Sequence, residues 1–440
     1  VCRAFVAVVQ HRDNVICLYG LPAMSNVKKI KGFADLFSPE SDVFTFMENT
    51  ARDVFSSYGY GELRTPILER TELFCRSIGT ETDVVQKEMY TFPDRKNRSL
   101  TMRPEATAGV MRAYIEGSLH SQEQVSKLFT FGPMFRYERP QKGRMRQFHQ
   151  INCECLGPQE PYADAEIILM LLMFLKRIGL SGLELQINSL GCRECRPQYH
   201  AALREFLASL DTAELCEDCR RRMETNPLRV LDCKVPRCKE LTADAPVILD
   251  HTCDACSEHY SVVLGMLERA GVVYTANPRL VRGLDYYNRT TFEVVCGEIG
   301  AQSSVAGGGR YDGLVSQLGG PDVPGIGFAC GMERLALALE QKAQREVPRP
   351  DFLVAVLEQD GLERGMMLAE ALRESGLKGE VSFAARSMKS QMRQAGKRNV
   401  RKVLLLGGSE IADGTVTVKD MDTGGQTTIS LDAAPGAVAD

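Results

Sequence analysis

The sequence predicts an α+β fold with a cysteine-rich helical insertion and a small α/β domain at the C-terminal end. Three observations predict it. Two long strand segments, 127–137 and 147–156, flank a basic loop and read as one hairpin. Eight of the fifteen cysteines crowd between Cys192 and Cys256, which sets that stretch apart. Beyond a Val-Pro-Arg-Pro break at 347–350, strand and helix patterns alternate as in a β-α-β unit.

Taken in order, Val43, Phe44, Phe46, Met47, Ala51, Val54 and Phe55 recur at helical spacing over 41–59, and Gly59 and Gly61 stop that helix. Residues 63–68 read as a strand, and Pro66 restricts it to an edge or an interface. The hairpin follows, then an amphipathic to buried helix at 163–180 and the cysteine-rich stretch. Strands are expected at 290–296, 303–306 and 325–329, with a helix at 332–343. In the last domain, strands at 352–357, 381–384 and 402–406 alternate with helices at 361–375 and 389–398. The tail 433–440 is expected to fray.

Composition narrows the function classes. A chain of 440 residues suggests two or three domains. Hydrophobic residues at 44% and charged residues at 25% suit a globular core and argue against disorder. A net charge of −4 excludes a globally basic nucleic-acid binder, so any RNA contact must come from local basic patches. No run of apolar residues is long enough for a membrane span. The apolar run from Ala4 to Gln10 is too short for a signal peptide. Residues 1–23 are therefore read as an extension: either an upstream start was taken and Met24 is the true one, or the extension is genuine. The expected domains are 24–345, with an insertion at about 185–260, and 346–440.

Two segments carry candidate chemistry. The stretch Phe135 to Gln150 holds five basic residues in sixteen, with a single acid. Such a run can be a solvated face. Interleaved with Tyr137 and Phe148, and tipped by Pro-Gln-Lys-Gly, it also suits a polyphosphate and a stacked base. Gly325 to Leu335 places glycines where a strand enters a helix and Arg334 in its first turn, which alone is weak evidence for phosphate binding. Its spacing is neither of the Rossmann nor of the Walker kind.

Together these pieces resemble the class II aminoacyl-tRNA synthetases. Arg64-Thr65-Pro66 is similar to motif 1, Phe135-Arg136 to Phe148 to motif 2, and Gly331-Met-Glu-Arg334 to motif 3. Leu280-Val-Arg-Gly-Leu-Asp-Tyr-Tyr-Asn-Arg-Thr291 and Ala306-Gly-Gly-Gly-Arg-Tyr-Asp-Gly-Leu314 resemble the two histidine motifs of the histidyl-tRNA synthetase family. Thr101 to Thr107 and Gln147 to Gln150 fit as well. The resemblance covers about residues 24–430. It implies a mainly antiparallel sheet flanked by helices, a homodimer through motif 1, and a cytoplasmic enzyme joining histidine to tRNA(His) through a histidyl-adenylate.

The resemblance also implies roles. Arg136 would hold the α-phosphate of ATP, and Arg334 the γ-phosphate. Phe148 would stack on adenine opposite Arg334, with Glu138 and Arg144 nearby and magnesium on the β- and γ-phosphates. Arg282 would reach the histidine carboxylate and the α-phosphate and lead the catalysis, with Arg136 beside it. Glu105, Ala106, Thr107 and Gln150 would surround the ammonium. Glu154 and Tyr287 would meet the ring nitrogens, with Tyr286 and Tyr311 shaping the pocket. Each has a plainer alternative: Glu105 could cap a helix, Arg282 could sit in a structural ion pair, and the tyrosines could be core.

For RNA, Arg139 is the candidate for the acceptor end. Arg386, Lys389, Arg393 and Lys397 fall along one helix face for phosphates, although a basic stripe is also an ordinary solvated face. The cysteines form four close pairs: Cys192 with Cys195, Cys216 with Cys219, Cys233 with Cys238, and Cys253 with Cys256. They suit two structural zinc sites, free buried thiols, or disulfide chemistry, and the pairing is not readable. The first two pairs have the spacing of a zinc ribbon. The rival reading of the whole chain is a non-catalytic paralogue that serves as a regulatory subunit in histidine biosynthesis; the intact Arg136, Arg282 and Arg334 argue against it.

Overall fold

The computed structural model describes residues 28–297, 303–340 and 349–439, together with the backbone of 6–11 and 14–19. Within the expected extension at 1–23, Val6–His11 and Asn14–Tyr19 pair as an antiparallel hairpin; its other residues lie outside the described ones, as does the start of the expected linker. The chain divides into two compact units, Val1–Ala343 and Gln344–Asp440.

The first unit is built on one eight-stranded sheet. In chain order its strands are β1 (Gly61–Glu62), β2 (Ser126–Phe135), β3 (Gln147–Leu156), β4 (Leu183–Ser189), β5 (Tyr274–Ala276), β6 (Asn288–Cys296), β7 (Ser304–Arg310) and β8 (Gly325–Gly331). They lie in the order β5-β4-β6-β7-β8-β3-β2-β1. The six central strands pair antiparallel, and only the short β1 and β5 add on parallel at the two edges. The mainly antiparallel sheet implied by the resemblance is therefore present.

One face of the sheet carries the core. Helices Glu40–Ser57, Pro161–Arg177, Asp254–Arg269 and Met332–Glu340 bury their apolar stripes against it. Phe55 sits at the middle, with Phe129, Phe174 and Phe328 at 5.5, 5.5 and 5.9 Å between ring centroids. Because side chains alternate along a strand, Ile151, Cys153 and Cys155 of β3 and Ile326, Phe328 and Cys330 of β8 enter this core. Their neighbours Gln150, Asn152 and Glu154, and Gly325, Gly327 and Gly331, therefore face the other way.

The expected strand at 63–68 does not form. β1 ends at Glu62, and the next strand is Leu68–Arg70, in a separate three-stranded sheet with Tyr90–Pro93 and Ser99–Met102. Pro66 lies between them and has no N–H for a ladder. Arg103 holds this segment instead, donating from Nη1 to the Thr65 carbonyl at 3.1 Å and to Thr65 Oγ1 at 2.9 Å. The strand expected at 303–306 runs on through three glycines to Arg310.

The second unit has a five-stranded sheet: β9 (Phe352–Val356), β10 (Gly379–Val381), β11 (Lys402–Leu406), β12 (Thr415–Asp420) and β13 (Gln426–Ser430), ordered β10-β9-β11-β12-β13. β9, β10 and β11 are parallel, with helices Leu362–Glu374 and Met388–Lys397 as crossovers. β12 and β13, which the sequence reading missed, add on antiparallel. Arg386, Lys389, Arg393 and Lys397 are all exposed. Arg386 precedes the helix, so the helical stripe begins at Lys389. Among the described residues no helix is long and apolar enough to cross a membrane.

Candidate functional site

The site lies on the sheet face opposite the helices, and glycine makes its floor. A Cβ on Gly327 would come within 1.9 Å of Glu154 Oε2, and one on Gly307 within 2.6 Å of the Arg282 guanidinium. Glycine at these positions of β7 and β8 leaves room for functional side chains to lie over the backbone.

Glu154 is the centre of a polar cluster. It is 2% exposed, and its carboxyl accepts from Thr107 Oγ1 at 2.7 Å and from the Tyr311 hydroxyl. The rings of Tyr286 and Tyr287 lie 4.6 Å apart between centroids, tilted by 45°, and Tyr311 meets Tyr286 edge-on at 5.7 Å. Burial pushes the Glu154 carboxyl up to about 8, against the pull of its two hydroxyl donors.

That shift has a testable consequence. The folded state keeps a proton on Glu154 that the unfolded chain, with its ordinary value of 4.5, gives up earlier. The contribution is fully present below the unfolded value and is lost as pH rises through about 8. The free protein should therefore lose stability across that window, and Glu154→Gln should flatten the slope. Thermal melts of both proteins check it; identical slopes would refute the shift.

Glu105 lies beside this cluster at the start of helix Thr107–Glu116, with buried Ala106 between. Its carboxylate accepts from the N–H groups of Thr107 at 2.6 Å and Ala108 at 2.9 Å. The capping alternative is thus realised. It does not exhaust the group, since each carboxylate oxygen has a second lone pair. Burial raises the Glu105 carboxyl as well.

Three arginines line the floor. Arg282 lies 3.6 Å from Glu293 and has its guanidinium over the Tyr287 ring at 5.6 Å. Glu293 escaped the sequence reading. Strand alternation could have found it, because β6 sends Phe292, Val294 and Cys296 to the core and Glu293 to the site. Arg136 donates from Nε to the Pro104 carbonyl at 2.8 Å and lies over the Phe148 ring at 5.4 Å. Arg136 is thus the cation that lies against the Phe148 ring in this structure. Arg334 donates to the Ser304 carbonyl at 2.8 Å and the Gly143 carbonyl at 3.3 Å, which pins the basic loop to the helix. Glu138 and Arg144 pair with each other across that loop, and Arg139 is exposed at its tip.

The buried polar atoms on this face of the sheet that lack partners include Gln150 Oε1, Asn152 Nδ2 and Arg282 Nε. Buried polar groups are nearly always satisfied, so orphans grouped on one floor point to a ligand. His149, on the core side, bonds Glu333 at 2.9 Å and packs against Phe44, and so stays out of the site.

The eight cysteines of the insertion form no disulfide and gather in two groups. Cys192 and Cys195 join Cys253 and Cys256; Cys216 and Cys219 join Cys233 and Cys238. The pairing is nested. The zinc-ribbon spacing of the first two pairs is therefore coincidental, because those pairs belong to different groups.

Comparison with known proteins follows this geometry. A family model described as histidyl-tRNA synthetase matches residues 32–335, and one described as anticodon binding domain matches 351–440. A histidine–tRNA ligase of Nitratidesulfovibrio vulgaris is 71% identical over 93% of this chain and 98% of its own length. One of Solidesulfovibrio magneticus is 63% identical over 94% and 97%. The apo histidyl-tRNA synthetase of S. aureus superposes with a TM-score of 0.79 at 34% identity, covering 94% of this chain and all of that one.

Proposed function

Given that the chain belongs to the histidyl-tRNA synthetase family, we infer how its residues divide the work. The reaction is the ATP-dependent attachment of histidine to tRNA. The regulatory reading is not favoured, since relatives of such high identity are named as ligases and span nearly the whole chain.

Glu154 and Tyr287 take the two imidazole nitrogens of histidine, and Tyr286 and Tyr311 close the pocket around the ring. Neutral imidazole needs one acceptor and one donor, which a carboxylate and a phenol supply. Glu105, Thr107 and Gln150 take the ammonium, with the unpartnered Gln150 Oε1 as one acceptor. Arg282 takes the carboxylate and the α-phosphate. Arg136 shares the α-phosphate, Arg334 holds the γ-phosphate, and Phe148 offers its ring to adenine. Held in line, the carboxylate attacks the α-phosphorus and pyrophosphate leaves; the terminal ribose hydroxyl of tRNA then attacks the carbonyl carbon of the adenylate, forming the ester as AMP leaves. Both transfers develop charge on oxygen, so positioned cations carry the catalysis.

Magnesium neutralises the outer phosphates of ATP when bound, and Glu138 and Glu293 offer hard oxygen donors suited to it. Zinc suits the two cysteine groups. Arg139 meets the acceptor end of tRNA(His), and Arg386, Lys389, Arg393 and Lys397 meet phosphates near the anticodon. The catalytic domain spans 24–345 and the anticodon domain 346–440. The chain works in the cytoplasm as a homodimer, with the segment around Pro66 at the interface.

The observation that carries the pocket assignment is the buried Glu154, Tyr286, Tyr287 and Tyr311 cluster over glycine. Its test is exchange of labelled pyrophosphate into ATP with each of the twenty amino acids singly. Exchange with histidine alone is expected. Exchange with another amino acid, or with none, would overturn the assignment.

A further inference from the structure

The two cysteine groups have the dimensions of metal sites. In a tetrahedral zinc site with zinc–sulfur bonds of about 2.3 Å, sulfurs lie about 3.8 Å apart. Here Cys192 and Cys195 are 3.6 Å apart, Cys192 and Cys253 3.9 Å, and Cys216 and Cys233 3.8 Å. Within each group all four sulfurs lie within 4.8 Å of one another. A disulfide would instead bring two sulfurs to about 2.0 Å. Backbone N–H groups also aim at sulfur, from Cys253 to Cys195 Sγ at 3.1 Å and from Cys216 to Cys238 Sγ at 3.3 Å, as suits thiolates.

What these groups hold is more telling. The segment 280–287 carries Arg282, Tyr286 and Tyr287. Arg279, just before it, donates to Thr242 Oγ1 at 2.7 Å, to the Thr242 carbonyl, and to the Leu231 carbonyl at 3.3 Å. Leu231 and Thr242 bracket Cys233 and Cys238, and the Thr242 N–H and hydroxyl both return to the Cys238 carbonyl, at 3.1 and 2.8 Å. At the other end, Arg196, next to Cys195, donates to the Tyr287 carbonyl and to the Leu190 carbonyl at 3.4 Å. Each cysteine group thus grips one end of the same segment.

We propose that two zinc ions, one on Cys216, Cys219, Cys233 and Cys238 and one on Cys192, Cys195, Cys253 and Cys256, act as paired clasps that fix segment 280–287 through Arg279 and Arg196. The zinc ions are structural. Arg279 and Arg196 are positioning residues, and the clasp rests on the assignment of 280–287 to histidine binding. Without either clasp the segment keeps its sequence but loses its register over the glycine floor. The loss falls on histidine first, because the adenine and γ-phosphate contacts lie on Phe148 and Arg334, in other elements.

The full-length protein should contain two zinc ions per chain by plasma mass spectrometry. Cys238→Ser should retain one and raise the KM for histidine in pyrophosphate exchange on the order of tenfold to a hundredfold, with a smaller rise in the KM for ATP because Arg282 also meets the α-phosphate. Arg279→Met should retain both ions and give the same rise, larger for histidine than for ATP, which decides the matter if the cysteine variant fails to fold. Iron, or no metal, in the parent protein would overturn the zinc assignment. Two zinc ions with an unchanged histidine KM in Arg279→Met would overturn the clasp. Absence of histidine-dependent exchange in the parent would strike the underlying pocket assignment instead.

Discussion

Replacing Arg282 by histidine should cut histidine-dependent pyrophosphate exchange by about 10²–10³-fold, while binding of ATP and of histidine remains measurable by calorimetry. Arg282 lies over Gly307 and beside Tyr287, with a buried Nε that no protein atom satisfies. Its ion pair with Glu293, at 3.6 Å, is looser than a bidentate contact. A guanidinium so placed keeps donors available for oxygens that gain charge as the adenylate forms. Histidine at this position is shorter, is neutral at the working pH, and cannot present a planar fork. Wild-type-like turnover in that variant would remove Arg282 from the chemistry and leave it as a structural partner of Glu293.

Asp164→Ala should be the most destabilising single change, costing about 3–5 kcal/mol. Asp164 and Arg310 are both fully buried. The Arg310 Nε lies 3.0 Å from Asp164 Oδ1, its Nη1 donates to the Pro158 carbonyl at 2.9 Å, and the His259 ring bonds Asp164 at 2.8 Å. Removing the carboxylate leaves the buried guanidinium with Asp312, at 3.2 Å, as its remaining counter-charge, and an under-compensated buried charge is costly. Burial alone would raise the Asp164 carboxyl, but the bonds and charges of His259 and Arg310 win and hold it below its ordinary value. The stabilisation is therefore present above the unfolded value and is lost as pH falls through the lowered folded one. Denaturant melts check both statements. A variant that melts with the parent would show that the network is not what anchors β7 and Tyr311.

Local pattern carried much of this structure. Helix 40–57, the β2–β3 hairpin and β11 follow from apolar periodicity within one segment, and the site residues quoted with the motifs gather on one face because strands alternate. What was not legible has a common cause. β5 has only three residues, and β4 and β5 acquire their meaning only from pairing with each other and with β6. Arg310 and Asp164 are 146 residues apart, and no local signal joins them. Pro66 was read as sitting in a strand, whereas its missing N–H left the chain to be held by Arg103 from outside. The cysteine pairing was closed to the sequence for the same reason: spacing along the chain favoured adjacent pairs, and the fold chose nested ones.

Nesting also favours one order of assembly over the other. The inner group closes a span of 22 residues, from Cys216 to Cys238, and the outer group one of 61, from Cys192 to Cys253. Loop-closure entropy makes the longer span roughly 1 kcal/mol harder to close from an open chain. Closing the inner span first shortens what the outer must gather, and the reverse order gains nothing comparable. Like brackets in a written expression, the inner pair closes before the outer. During synthesis the inner pairs also emerge complete while Cys253 and Cys256 are still to come. Nesting thereby suits gathering from the inside outward, and segment 280–287, which follows Cys256 in the chain, is made after both cysteine groups are complete.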